Sequence, residues 1–399
     1  MPSTEFTERE IAGLKFFKPI MLLLTGLRQP PLDPKRQLFY DDYMVLLLLY
    51  YFNPVMTSLR SLQRVSDFES FRKKLGIRHA SLGSLSESAR VFDPQPLRNI
   101  FAQLAQKAAA QSVPALSRPA GVPNDLRLLA VDGTLWSFLP RMARWFWAAG
   151  PRTGPPPGFK ALVHFDILHG LPTEALVESG YPSEQRALEK TLRAACFYVI
   201  DRGFFALSLY QSILDKGSSF LCFVQRTIVT RTLENLPLSP AAQQAGVLSD
   251  QRVAVGSEPH RDKLRQPLRL IRARVRLEPP HNINVKRQPQ GEFVDLILLT
   301  DRFDVPAEEL LLLYRFRWHI EIFFRWLKCT LGCKHFLSHS QNGFELQFYA
   351  ALIAGLLITL YTGKKPSKAV FEAIQLYLLG CITEAELEAC LSTAKNARI

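Results

Sequence analysis

Three acids in this chain stand where carboxylate chemistry is possible. Asp132 closes the apolar run of residues 126–131 and opens the triplet Asp-Gly-Thr. Asp201 follows the apolar run 196–200 and opens Asp-Arg-Gly-Phe. Glu321 is the single acid of residues 314–328, YRFRWHIEIFFRWLK, among Arg317, Arg325 and Lys328. Carboxylate oxygens are the ligands that hard divalent ions such as Mg²⁺ choose. Two such ions about 3.5–4 Å apart can activate an attacking oxygen and stabilise a leaving one in an in-line displacement. One acid would bridge both ions and the other two would hold one each. A single Asp at a strand end is more often a turn or cap residue, so the joint occurrence of the three carries the reading. The intervals between them, 69 and 120 residues, leave room for the elements of a fold.

The stretch around Glu321 reads as a helix. Asp304, Val305 and Pro306 supply a capping acid and a first-turn proline ahead of it. Measured from Tyr314 at about 100° per residue, Arg317 falls at about −60°, Glu321 at about −20° and Lys328 at about −40°. These four polar residues share one stripe, with Arg325 and Trp318 beside it. Phe316, Ile320, Phe323 and Leu327 gather on the opposite side. An ordinary amphipathic helix explains that apolar face. It does not require two tryptophans and one acid set among cations.

The spacing Tyr314, Arg317, Glu321, Lys328 is Y-(2)-R-(3)-E-(6)-K, and Trp318, Ile320, Phe324 and Leu327 meet a fuller wording of the same motif. This resembles the signature of a large family of bacterial insertion-sequence transposases with an Asp-Asp-Glu site. The resemblance implies that Asp132, Asp201 and Glu321 are catalytic and hold two Mg²⁺ ions, for which Mn²⁺ can substitute, with Asp132 bridging. It implies that Tyr314, Arg317 and Lys328 grip phosphates at a transposon end, an arginine by its fork of donors and a lysine as a point charge. Arg325 joins them as a DNA contact. Trp318 is the candidate for stacking on a displaced base, with Trp136 second; Trp326 projects away and is expected to pack. Lys160 and His164 match a K-x-x-x-H pattern associated with relatives, with a packed strand histidine as the plainer reading. Cut-and-paste transposition, DNA partners at transposon ends and target, and a homodimer in the DNA complex are expected on the same basis.

The elements that must position these residues can be read in order. Residues 1–120 read as helical, with Arg60, Arg64, Arg72, Lys73, Lys74, Arg78 and Arg90 making them basic, and the family resemblance places terminal-repeat binding there. A solvated surface explains the same charges, and no helix-turn-helix signature names a recognition helix. Ser84 to Glu87 form a capping-box pattern. Residues 121–226 read as three strands, a helix, a strand, a helix and a strand. That is the order of a ribonuclease H-like core, in which the aspartates end adjacent strands. Residues 227–292 are a basic, β-rich insertion with 11 Lys and Arg against 6 Asp and Glu. There Arg272, Arg274 and Arg276 alternate with Ile271, Ala273 and Val275, which on a strand gives one arginine face and one apolar face. Such a row suits a DNA backbone; an edge strand defended by charge is the alternative. Residues 293–340 complete the core with a strand and the Glu321 helix, and residues 341–399 are C-terminal helices. The expected class is therefore α/β: a ribonuclease H-like core with a β-rich insertion, after a helical N-terminal domain.

Composition agrees with a polyanion partner. The 399 residues carry a formal charge of +13, and 47% are hydrophobic, enough to fill two or three cores. The longest apolar runs, residues 44–52 and 350–361, are shorter than the roughly 20 residues that span a bilayer, so both read as core helices and no membrane is expected. The N-terminus does not read as a secretory signal. Six scattered cysteines fit a reducing cytoplasm. Cys329, Cys333, His335 and His339 have zinc-ligand types but not zinc spacing. Two other classes remain open: a DNA-binding relic without catalysis, and a metal-dependent nuclease that cuts without joining.

Overall fold

Along residues 127–131, Leu128 and Ala130 leave one face of a strand and Leu129 and Val131 leave the other. All four are buried, in two different apolar clusters. A strand buried on both faces belongs in the middle layer of three. The computed structural model has this layering. It describes residues 38–137, 158–179, 183–257, 263–276, 293–333, 335–338, 340–363 and 365–393. The helix expected at residues 14–27, the proline loop through residue 157, His339 and the tail from residue 394 lie outside the described residues.

Helices α1 (Tyr40–Phe52), α2 (Leu59–Asp67), α3 (Glu69–Leu75), α4 (Leu82–Val91) and α5 (Gln95–Gln111) come first. Strands β1 (Arg127–Ser137), β2 (Gly158–Asp166) and β3 (Leu171–Ser179) follow. Then come α6 (Glu184–Lys190), β4 (Cys196–Ile200), α7 (Leu207–Asp215) and β5 (Ser219–Phe223). The next stretch holds β6 (Thr230–Asn235), α8 (Pro240–Gln244), β7 (Val247–Val255), β8 (Leu268–Arg276) and β9 (Phe293–Thr300). Helices α9 (Ala307–Phe316), α10 (Trp318–Arg325), α11 (Gln341–Thr362), α12 (Lys368–Leu378) and α13 (Glu384–Thr393) close the described chain.

The strands form one mixed nine-stranded sheet in the order β3-β2-β1-β4-β5-β9-β8-β7-β6. β1, β2 and β3 are an antiparallel meander. β4 pairs parallel to β1, and β5 parallel to β4, with α6 and α7 making the crossovers. β9 lies antiparallel to β5, and β8, β7 and β6 continue the same sheet outward. The molecule is thus mixed α/β, with helices on both faces of a large mixed sheet. On one face α6 and α7 bury Leu188, Leu209 and Ile213 against Leu129, Val131, Tyr198 and Ile200. On the other, the N-terminal and C-terminal helices share a cluster with Leu128, Ala130, Val163 and Val199. Its hub is α11, long and apolar enough to cross a membrane but here buried among α1, α4, α5 and β3.

Four local expectations change. The cap of α4 is Ser81, three residues before the expected serine, because the chain is still extended at Ser81 and its Oγ accepts the Ser84 N–H at 3.1 Å. Asp304 does not cap α9; its carboxylate is held by Arg302, and Pro306 begins the helix without a side-chain cap. Asp132 does not end its strand, since β1 runs on to Ser137 against β2. The stretch 314–328 is not one helix. At Arg317 the hydrogen bonds tighten to three-residue steps, Arg317 N–H to Tyr314 O and Ile320 N–H to Arg317 O, both 3.1 Å. At Trp326–Thr330 they widen to a π-turn, which rotates Lys328 away from its ideal-helix direction.

Candidate active site

The parallel pairing of β1 and β4 brings the two aspartates together. Its last paired residues are Val131 and Ile200, and the next residue in each chain is Asp132 and Asp201. Neighbouring strands lie about 4.8 Å apart, and matched positions on them point the same way. Parity sets the direction: Asp132 follows Leu128 and Ala130, and Asp201 follows Phe197 and Val199, all in the cluster beneath the C-terminal helices. α10 packs on β1 from that side, with Ile320 and Phe323 buried there and Phe323 beside Phe165 at 5.3 Å. Glu321 therefore projects from the helix that covers the two aspartates.

Arg317 sits at the junction of α9 and α10 and draws the acids into one electrostatic unit. Its Nη2 donates to Glu321 Oε1 at 2.7 Å. Burial would weaken its charge, but Tyr314, Asp201, Glu321 and Asp132 face it and hold its pKa above the ordinary value. The guanidinium lies 5.6 Å from the Tyr314 ring centre, and the Tyr314 hydroxyl approaches Asp201 Oδ1 at 3.5 Å. Asp201 also accepts the Arg202 N–H at 2.7 Å as the cap of a short 3₁₀ turn. Asp132 Oδ1 accepts the Gly133 N–H at 2.8 Å. Burial pushes the Asp132 carboxyl up to about 6, with Arg317 and the Gly133 N–H opposing and Glu184 and Glu321 adding to the rise.

The donor set suits a hard cation. It is all oxygen, and the Asp132 carboxylate is desolvated beyond what its one backbone bond repays. The spacing does not yet close round an ion: among the described residues no three His, Cys, Asp or Glu side chains stand close enough to grip one. Glu321 is turned to Arg317 instead, so a cation would have to take over the charge that the guanidinium now balances.

Residues 123–357, more than half of the chain, match the family model described as the transposase DDE domain. The chain belongs to that family. A putative transposase of Sinorhizobium fredii is 28% identical over 178 residues, covering 42% of this chain and 43% of that protein. A probable transposase for an insertion sequence element of Geobacillus stearothermophilus is 22% identical over 283 residues, 71% of this chain and 68% of the relative. The matched regions thus span about half to two thirds of these relatives' own lengths. A piggyBac transposase in a synaptic complex with hairpin DNA aligns with a TM-score of 0.40 at 12% identity, over 96% of this chain and 85% of that one.

Other residues singled out by the sequence of this family member are distributed unevenly. Lys328 Nζ donates to Leu135 O at 2.8 Å and lies 4.4 Å from the Trp136 ring centre, on the strand that carries Asp132. Arg325 is exposed, and Trp318 is 44% exposed, free to meet a ligand. Trp136 is not: it is 5% exposed, donates to Cys333 O at 2.7 Å and packs edge-on to Phe344 and Phe348. It serves as a floor for Lys328 and offers no base platform. Trp326 is buried, as its direction on the helix implies.

His164 is 1% exposed and bonds Thr191, which makes it a packed strand histidine. Arg272, Arg274 and Arg276 do alternate with buried or half-buried Ile271, Ala273 and Val275. β8 is an interior strand between β7 and β9, so the edge-strand explanation does not apply. The row lies four strands from β1, about 20 Å away, and is not part of the acid cluster; Arg274 is paired with Asp295 at 2.8 Å. A cleft of about 610 Å³ lies nearer, beside the turn after Asp201, with Arg202, Phe205, Ile228, Val229 and Lys263 on its walls. The Cys333 thiol is buried, pushed up to about 12 by burial, and no zinc cluster forms among the described residues.

Sequence reasoning missed Glu184. Its signal was indirect: a glycine follows each aspartate, at 133 and 203, and Glu184 fills the space that side chains there would take.

Proposed function

We propose that this protein is a cut-and-paste transposase of the group bearing the Tyr314, Arg317, Glu321, Lys328 signature, acting on DNA at the ends of an insertion sequence. One observation carries the reading: Asp132 and Asp201 are the next residues beyond the last pair of two adjacent parallel strands, and Glu321, on the covering helix, shares Arg317 with them. The strand order β3-β2-β1-β4-β5 supports a ribonuclease H-like core, with β6 to β8 as its insertion. Asp132, Asp201 and Glu321 would hold two Mg²⁺ ions, or Mn²⁺. When bound, such ions supply Lewis-acid activation of the attacking and leaving oxygens of a phosphodiester.

The chain's own groups do the rest. Arg317 exchanges its carboxylate partners for a DNA phosphate, which its fork can hold at two oxygens. Tyr314 hydrogen-bonds the same backbone. Lys328, fixed over Trp136, places a point charge beside it. Trp318 stacks on a base displaced at the cleavage point. Arg325 and the row Arg272, Arg274 and Arg276 contact DNA backbone farther out. Residues 1–120 bind the terminal repeats, two copies act together on the DNA, and the protein works in the cytoplasm at the nucleoid.

The test is cleavage of a DNA fragment carrying the element's flanking repeats, with Mg²⁺ or Mn²⁺, by wild type and Glu321→Gln. Metal-dependent nicking at the repeat boundary, lost in Glu321→Gln while DNA binding is kept, supports the reading. Joined products in the same reaction separate a transposase from a nuclease. Binding without cleavage in either metal would instead mark a DNA-binding relic, and cleavage that survives Glu321→Gln would move the site elsewhere.

A further inference from the structure

Glu184 begins α6 on the face of the sheet opposite Arg317. Its Oε1 pairs with Lys160 Nζ at 2.8 Å, and both side chains are mostly covered. A Cβ at Gly133 would lie 2.6 Å from Glu184 Oε1 and 2.9 Å from Lys160 Cε. A Cβ at Gly203 would lie 2.8 Å from Glu184 Oε2. One carboxylate therefore touches the backbone one residue after Asp132 and two residues after Asp201. The neighbouring Gln185 adds a bond to the turn after Asp201, Nε2 to Gly203 O at 2.8 Å. Glu178, across the strand pair from Lys160, is already taken by Lys190. Lys160 and Glu184 thus form a closed, neutral pair beneath the two aspartates.

The geometry points to Glu184 and Lys160 as positioning residues for the acid site: a neutral ion pair that wedges the β1 backbone after Asp132 and the turn after Asp201 at a set spacing and keeps the local charge fit for a divalent cation. This rests on the reading that Asp132 and Asp201 hold such ions. The neutrality has a sign that a purely structural wedge lacks. Without Glu184, the Lys160 ammonium loses its partner and is left beside Gly133, one residue from Asp132. It then competes with the metal. Without Lys160, an unpaired carboxylate is left near the site and attracts the metal. With both removed, the pair's net charge is again zero.

The test is Mn²⁺ binding to the full-length protein without DNA, by calorimetry or by the fall in free-Mn²⁺ paramagnetic signal. Glu184→Gln is expected to weaken binding about tenfold and Lys160→Met to tighten it severalfold, for a unit charge lying within a few ångströms of the site. The double variant is expected to return within about threefold of wild type, since the two charge effects oppose. Thermal melts of all four proteins report folding separately. Two singles that both weaken Mn²⁺ binding, with the double weaker still, would reduce the pair to packing and overturn the inference. Asp132→Asn keeps the two failures apart. If wild type binds no Mn²⁺, or binds it as well as Asp132→Asn does, the acid-site reading itself fails. If Asp132 is required but the pair variants change nothing, only the present inference fails.

Discussion

His164 stands on β2 with its ring 1% exposed and edge-on to Tyr198 at 5.8 Å. Its Nε2 lies 2.8 Å from Thr191 Oγ1. That hydroxyl has carbonyls to donate to, Ala187 O at 3.2 Å and Leu188 O at 3.1 Å. It therefore accepts from Nε2–H, which leaves Nδ1 as a bare buried nitrogen; no partner for it exists among the described residues. Protonating Nδ1 would bury a charge with nothing to receive it. Burial pushes the histidine down from 6.5 to about 4; Glu174 opposes, while Arg193 and Arg127 add to the drop.

Above about pH 7 the ring is neutral in both folded and unfolded chains and has no linkage effect. As pH falls below about 6.5, the unfolded chain takes the proton and the folded one refuses it, so stability is lost at up to about 1.4 kcal/mol per pH unit. The loss is on the order of 1 kcal/mol near pH 5.5 and levels at roughly 3 kcal/mol below pH 4. His164→Phe keeps a ring against Tyr198 and leaves the Thr191 hydroxyl its carbonyl partner. Urea unfolding of both proteins, followed by tryptophan fluorescence at neutral pH and near pH 5.5 and 4.5, reads the difference. The variant is expected to lose less stability on acidification, by the amounts above. Parallel decline of the two proteins would refute the assignment of the acid sensitivity to this ring.

The remaining expectations concern the cations. Arg317→Gln leaves Asp132, Asp201 and Glu321 without their shared counter-charge; unfolding in EDTA should be easier by about 2 kcal/mol, between the values for exposed and buried pairs. Mn²⁺ should restore more of the melting temperature in Arg317→Gln than it adds to wild type, as scanning fluorimetry would report. Arg269 is buried against Asp250 at 2.6 Å and also donates to Val305 O at 2.6 Å, tying β8 to the loop before α9. Arg269→Leu strands the Asp250 charge and should cost about 3–5 kcal/mol in denaturant unfolding. Arg274→Ala removes an exposed arginine whose partner Asp295 keeps Arg226. Its melting temperature should not move, while the slope of log affinity for DNA against log salt should fall by about one in titrations.

Much of this architecture was legible because the controlling forces are local. Apolar runs marked residues 126–131 and 196–200 as strands ahead of the two aspartates, where the structure has β1 and β4. Alternation correctly separated Arg272, Arg274 and Arg276 from Ile271, Ala273 and Val275, since side chains on a strand must alternate whatever it pairs with. The motif 314–328 marked which polar residues belong together. Ideal helical angles could not show that α9 and α10 break at Arg317, or that a π-turn redirects Lys328 onto Leu135 and Trp136. Those shifts come from how the helices dock on the sheet.

The sequence by itself determined which residues carry charge, which faces are apolar and which glycines leave space. Only the tertiary structure decided that Val131 pairs with Ile200 and so sets Asp132 beside Asp201. It alone buried Trp136, made β8 an interior strand, and slid Glu184 under Gly133 and Gly203. The physical reason is range. Propensity and periodicity act over a few residues, whereas register between strands 69 residues apart is chosen by the burial of a whole sheet at once.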